Sequence, residues 1–237
     1  MNQRRFEVTP GTNPCQAYRL DFIEYARANN LQDRLVSYRI TGEIPDTILI
    51  LQHPSVFTIG VSGNQKDVVA SGIQLDKEGI PVVHVDRGGK ATYHGPGQLV
   101  GYLIMDLRDR ERDIHQYVRN LEEVIIRTLR DFRIDGYRDS VYPGVWAEGN
   151  KICAVGIRVS RWVSKHGFAL NVDTDLRYFT YITPCGVKER GVTSISSLLG
   201  HNITIGEVAS SLLENCAHVF KMDITQKSPE QLDNYNG

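Results

Sequence analysis

Arg87-Gly88-Gly89-Lys90-Ala91-Thr92-Tyr93-His94-Gly95-Pro96-Gly97-Gln98-Leu99-Val100-Gly101-Tyr102 is the stretch on which the fold turns. Five glycines fall between positions 88 and 101, in a chain that has only 21. Gly95, Gly97 and Gly101 have a G-x-G-x-x-x-G spacing, and the apolar run from Gln98 to Asp106 reads as a strand. A dinucleotide fingerprint needs G-x-G-x-x-G opening a helix, and a phosphate loop needs a closing Gly-Lys-Ser/Thr; neither is present. A second candidate strand, Val82 to Val85, leads into the segment. Glycine-rich backbone between two strands lies across a sheet and points away from a doubly wound α/β domain.

Working outward, Asp46 to Gln52 is a short apolar run that reads as a buried strand, and Ser55 to Gly60 offers another. Lys151 to Val159 and His166 to Val172 read as a pair of strands. Asn13-Pro14 has the form of a helix start, a capping side chain before proline, and predicts a helix to about Ile40 that stops near Gly42. Apolar residues at 114, 117, 118, 121, 124, 125, 129 and 132 give Ile114 to Phe132 one apolar helical face. Thr193 or Ser194 is placed to cap a short helix through Leu199. Val208, Leu212, Cys216, Val219 and Phe220 line a closing helix. Strands and helices alternate without a βαβ rhythm, so the expected fold is α+β, a mixed and largely antiparallel sheet flanked by helices. The expected organisation is one catalytic domain over 1–223 and a polar, frayed tail over 224–237.

The whole chain narrows the function classes. Its 237 residues are 41% hydrophobic, enough for a sizeable core. Lys+Arg 27 against Asp+Glu 28 leaves a net charge of -1, which gives no footprint for nucleic acid or a membrane surface. No apolar run is long enough to span a bilayer. The first residues, Met1 to Glu7, lack the apolar core of a signal peptide. Cysteines stand alone at 15, 153, 185 and 216, a scatter that fits reduced thiols and a cytoplasmic protein. No His/Cys grouping has zinc spacing, so neither a metal nor another cofactor is expected.

Four sets of residues stand out as candidates for chemistry or for a pocket. The glycine-rich segment is either a pair of tight turns or a pocket wall, and Arg87, Tyr93 and His94 favour the wall because turns do not require them. Cys185 sits in Thr183-Pro184-Cys185-Gly186, a turn, with Lys188, Arg190 and Lys151 as possible sources of positive charge. A reactive thiolate needs such surroundings, and the Gly186 N–H would suit an oxyanion; the plainer reading of any lone cysteine is a small buried hydrophobe. Lys151 opens a strand. It is either a solvated charge or a desolvated amine able to take and return protons. His94 could serve Cys185 as a base or simply shape the loop. His166 to Asn171 could form a second backbone wall, with Trp162, Phe168 and Leu170 adding apolar surface.

These segments, taken in order, resemble the octanoyltransferase family of lipoate biosynthesis. The resemblance rests on Arg87 to Val100, Pro-Gly-Val-Trp at 143–146, Lys-Ile at 151–152 and Gly-Ile-Arg-Val-Ser-Arg-Trp-Val at 156–163. It continues through His-Gly-Phe-Ala-Leu-Asn-Val at 166–172, Pro-Cys-Gly at 184–186 and Arg-Gly-Val-Thr-Ser at 190–194, so it covers roughly His53 to Leu199. Leu103 departs from the proline common in that family, outside the implied chemistry. The resemblance implies the fold of biotin and lipoate protein ligases. It implies transfer of octanoyl from octanoyl-acyl carrier protein to a lysine on lipoyl domains of 2-oxoacid dehydrogenase complexes and the glycine cleavage H protein. The family's nucleophile falls on Cys185 and its partner lysine on Lys151. Its acyl-binding stretches fall on Arg87, Gly88, Gly89, Lys90, Ala91, Thr92, Tyr93 and His94, on Ala154, Val155 and Gly156, and on Gly167, Phe168 and Ala169. An ATP-dependent lipoate ligase and a non-catalytic acyl- or lipoyl-domain-binding protein of the same fold are the alternatives.

Overall fold

A computed structural model describes residues 13–108, 110, 112–183 and 190–235. Among them, strands β1 (Asn13–Phe22), β2 (Asp46–Gln52), β3 (Val56–Ile59), β4 (Val82–His84), β5 (Ala91–His94) and β6 (Gln98–Ile104) precede β7 (Tyr137–Arg138), β8 (Val145–Ala147), β9 (Asn150–Ser160), β10 (Val163–Asn171) and β11 (Met222–Lys227). The helices are α1 (Tyr25–Thr41), α2 (Gly72–Glu78), α3 (Ile114–Asp131), α4 (Ile195–Leu199) and α5 (Ile205–Phe220). The large sheet runs β11-β1-β2-β6-β10-β9-β8-β7, and β4-β3-β5 form a small second sheet. β1 pairs in parallel with β2 and β11, and every other neighbour in the large sheet is antiparallel, so the sheet is mixed and largely antiparallel as expected.

Two cores sandwich the large sheet. On one face Leu99, Leu103, Phe168 and Leu170 meet the apolar stripes of α3 and α5; on the other, Leu49, Leu51, Val100 and Ala169 meet Ala28, Leu31 and Leu35 of α1. The helix ends carry the caps that their sequences specify. Asp113 accepts from the amides of His115 and Gln116, Ser194 from Ser197, and Thr204 and Glu207 form a reciprocal capping box. Gly42 closes α1 at φ 80°, the left-handed conformation that glycine adopts without steric cost.

Two expectations fail here. Asn13-Pro14 opens a strand, not a helix; α1 begins only at Tyr25. Cys15, Gln16, Ala17 and Tyr18 are buried in succession between two parallel partners, and this pairing on both edges outweighs a local cap-and-proline signal. Residues 224–235 are not a frayed tail either. Met222 and Ile224 are fully buried and β11 extends the sheet beside β1, while Leu232 packs against the α1 side and the rings of Tyr235 and Tyr38 lie 5.4 Å apart. The buried residues alternate with polar ones, so average polarity hides a strand of period two. Among the described residues, no helix is long and apolar enough to cross a membrane.

A buried ion cluster ties the sheet to the helices at one end. Asp46, 3% exposed, accepts from Arg39 Nε, from Arg110 Nη2 and from the Asp106 amide, each at 2.9 Å. Arg110 also donates to the Phe220 carbonyl at 2.7 Å, which joins the end of α5 to the start of β2. Asp46→Ala would remove the carboxylate partner of Arg39 Nε and Arg110 Nη2 and leave the Asp106 amide without its acceptor. We expect it to lower the unfolding free energy by roughly 3 kcal/mol, read from the urea midpoint, as for other broken buried pairs.

Candidate active site

The residues of the glycine-rich segment and of β9 and β10 meet around one cleft. Its lining includes Arg87, Gly88, Gly89, Ala91, Thr92 and His94 on one side, Ala154, Val155, Gly156, Gly167, Phe168 and Ala169 on the other, and Lys151. Lys90 and Tyr93 are not on that lining. Tyr93 turns the other way along β5, into the core of the small sheet against Phe57 and Phe179, with its hydroxyl 2.9 Å from Ser55 Oγ.

The wall approaches the strands backbone to backbone. The Gly88 amide donates to the Ile157 carbonyl at 3.0 Å, so it is used inside the protein and not offered to a ligand. A Cβ at Gly156 would stand 3.0 Å from the Gly88 oxygen, and one at Gly60 only 2.5 Å from the Gly89 oxygen. Arg87 is buried beneath the wall. It donates to the Thr58 carbonyl and hydroxyl, each at 2.8 Å, and to the Gly88 carbonyl at 3.0 Å. On the floor, Gly101 leaves room for the Phe168 ring: a Cβ there would meet the ring at 2.2 Å.

A set of polar residues that lie within the quoted motifs, but to which the motifs assign no role, holds His94. Gln98 Nε2 donates to the Tyr93 carbonyl and to Asn171 Oδ1, so Gln98 Oε1 accepts from His94 Nδ1 at 2.8 Å. Asn171 Nδ2 donates in turn to the Thr193 carbonyl, and the Thr193 amide to the Lys151 carbonyl. His94 is thereby a neutral ring with Nε2 as acceptor. Burial, then the neighbouring His53 and Arg87, push its pKa well below the usual histidine value, which makes it a weak base. Two more buried histidines stand nearby. His53 donates to the Ile23 carbonyl and accepts from the Tyr102 hydroxyl, each at 2.7 Å, and His166 donates through Nε2 to Asp86 at 2.7 Å. Burial depresses both to about 4. Gln98 was legible only as a polar side chain inside an apolar strand.

Lys151 opens β9. Its amine donates to the Pro143 carbonyl at 3.0 Å and lies 5.0 Å from the centre of the Trp146 ring. Gly144 holds that turn at φ 111°, its amide bound to the buried Glu122 carboxylate of α3, which Arg138 also pairs. The Lys151 amide donates to the Gly191 carbonyl at 3.1 Å, bringing the chain at 191–193 alongside β9. Cys185 lies outside the described residues. Ile182 and Val192, on either side of that part of the chain, both line the cleft. The three described cysteines are buried, and burial pushes each thiol up, that of Cys216 to about 12.

A family model for the lipoyl protein ligase A/B catalytic domain matches residues 24–217. The octanoyltransferase of Caldicellulosiruptor saccharolyticus is 45% identical over 216 residues, which cover 90% of this chain and 92% of that protein. The chain belongs to the octanoyltransferase family. It is thus a member of an acyltransferase family. The fold is shared more widely. A putative lipoate protein ligase from T. acidophilum superposes with a TM-score of 0.72 at 19% identity, covering 94% of this chain and 92% of its own. The biotin protein ligase of Aquifex aeolicus gives 0.54 at 15% identity, with 87% and 70% covered.

The histidines make stability depend on pH. In the unfolded chain each ring takes a proton below about 6.5, whereas His53 and His166 stay neutral in the fold down to about 4. Their contribution is full above the unfolded value and is lost as pH falls toward 4. We expect the unfolding free energy to drop by roughly 2 kcal/mol for each of these two rings, about 4 kcal/mol together, between pH 7 and pH 5. Urea titrations at half-unit intervals check this; a flat profile over that window contradicts neutral buried rings.

Proposed function

We propose that this enzyme moves an octanoyl group from octanoyl-acyl carrier protein to a lysine of a lipoyl domain through a thioester on Cys185. The observation that carries the reading is the cleft itself. A cleft walled by glycine and alanine residues suits an unbranched acyl chain, and Lys151, Ile182 and Val192 share its lining, the last two on either side of the chain that holds Cys185. The remaining cysteines support the same choice, since buried thiols with raised pKa values are poor nucleophiles.

In the first step Lys151 takes the Cys185 proton and the thiolate attacks the donor carbonyl. The new carbon–sulfur bond forms, the donor's breaks, and the donor leaves as a thiol with the proton held by Lys151. In the second step the acceptor amine attacks the octanoyl-cysteine, Lys151 accepts a proton from it, and the Cys185 sulfur leaves and is reprotonated. Exchange of one thioester for another is nearly even and conversion to an amide is downhill, so no ATP enters. Using one cleft for two protein partners in turn predicts ping-pong kinetics. The acceptors are the lipoyl domains of 2-oxoacid dehydrogenase complexes and the glycine cleavage H protein, in the cytoplasm.

Intact mass after incubation with octanoyl-acyl carrier protein tests the reading. We expect one octanoyl adduct in the wild type and none in Cys185→Ala; an adduct that persists in the variant, or product formation that requires ATP, contradicts it. Lys151→Ala should slow both half-reactions by about 10²–10⁴-fold at neutral pH, the usual range for a lost general base. Wild-type rates of acylation and transfer in that variant would move the base elsewhere.

A further inference from the structure

Tyr25, His94, Tyr102 and His166 share the lining of the cleft, and none is more than 6% exposed. Their rings form a continuous group. Tyr25 stacks on His94 with 6.0 Å between ring centres, and Tyr102 meets His166 edge-on, also at 6.0 Å. His53 links the two pairs, 5.7 Å from His94 and 5.9 Å from Tyr102. The hydrogen bonds fix which polar atoms are occupied. His53 is bonded at both nitrogens, Nε2 taking the Tyr102 proton. His94 gives its Nδ1 proton to Gln98, so its Nε2 accepts. His166 gives its Nε2 proton to the Asp86 carboxylate, and the neutral ring keeps a lone pair on Nδ1. That Nδ1 is buried and has no hydrogen-bond partner among the described residues.

A buried acceptor left unpaired is costly, and nearly all such atoms in folded proteins meet a donor. The methylenes of an octanoyl chain offer none. With its carbonyl beside Lys151, such a chain also ends short of His166. His166 pairs with Ile157 on β9, and Lys151 lies near the start of that strand. At about 3.3 Å per residue the two levels are roughly 20 Å apart, whereas an extended octanoyl chain spans about 9 Å. We infer that His166 marks a polar subsite of the cleft, which takes acyl chains longer than octanoyl that carry a hydroxyl at the far end. The hydroxyl donates to His166 Nδ1. The group recognised there brings a hydrogen, because both ring nitrogens on this lining, His94 Nε2 and His166 Nδ1, accept. The His166 ring is held for this role. Asp86 fixes its Nε2, and its amide donates to Gln32 Oε1 at 2.9 Å from a left-handed backbone position, φ 64°. The direction of the chain rests on the acyl-transfer reading above.

Calorimetric titration of the purified protein with free acids tests the subsite without any transfer step. The probes are decanoate, dodecanoate and their 10-hydroxy and 12-hydroxy counterparts. A hydroxyl that enters an apolar site without a partner weakens binding by about 10-fold or more. Here we expect the better-fitting hydroxy acid to bind about 3- to 10-fold tighter than its methyl-ended counterpart, the gain from one added hydrogen bond. In His166→Phe the same ratio should invert. Each ratio compares two ligands on one protein, so a general loss of affinity in the variant cancels. If His166→Phe does not fold, a crystal structure of the wild type with the hydroxy acid carries the test, and the hydroxyl oxygen should lie within hydrogen-bond distance of His166 Nδ1. The inference is overturned if no acid binds, if neither hydroxy acid binds tighter than its counterpart, if the ratio is unchanged in His166→Phe, or if the hydroxyl oxygen lies elsewhere. A hydroxyl preference in a protein that never acylates Cys185 would leave the subsite standing and overturn only the acyl-transfer reading. Octanoyl-Cys185 formed by a protein without that preference would do the reverse.

Discussion

One backbone hydrogen bond, from the Gly88 amide to the Ile157 carbonyl at 3.0 Å, ties the glycine-rich wall of the cleft to β9. It forms because two chain segments come together with no side chain between them. At Gly156 a Cβ would crowd the Gly88 oxygen, and at Gly60 one would overlap the Gly89 and Arg87 oxygens. The same strand, β9, carries Lys151 at its start, pairs with β10 along its length and receives the wall near its end. A single extended segment thus carries both Lys151 and the attachment of the wall.

Several polar groups of the cleft are occupied within the protein. Arg87 is turned into the small sheet, His94 is held through Gln98 and Asn171, and His53 is bonded at both ring nitrogens. Burial holds these rings neutral. The surface left facing the channel is mostly backbone and small or aromatic side chains, which suits a hydrocarbon chain. The Lys151 amine and the Arg190 guanidinium both lie over the buried Trp146 ring.

Much of this was legible in the sequence, for physical reasons. The strand after the glycine run ruled out a nucleotide loop, the 3.6-residue period of α3 and the Ser194 cap stood out locally, and β9 and β10 read as a pair. The failures share one cause, which is pairing partners distant in sequence. β1 looks like a capped helix until β2 and β11 flank it, and β11 looks like a polar tail because only alternate residues are buried. The site was read unevenly in the same way. Glycines and the lysine announced themselves, but Tyr93 was counted with the wall although β-strand alternation turns it away. Trp146, Gln98 and Asn171 matter through contacts that no local pattern records.

The central claim is that the acyl chain lies along β9 with its carbonyl at Lys151. A crystal structure of the protein after loading with octanoyl-acyl carrier protein tests it most directly. The account predicts a chain of density between Gly88–Gly89 and Ala154–Gly156, joined to Cys185, with the carbonyl beside the Lys151 amine. Density running the other way, with the carbonyl end at His166, or an acyl group outside this cleft, would contradict it.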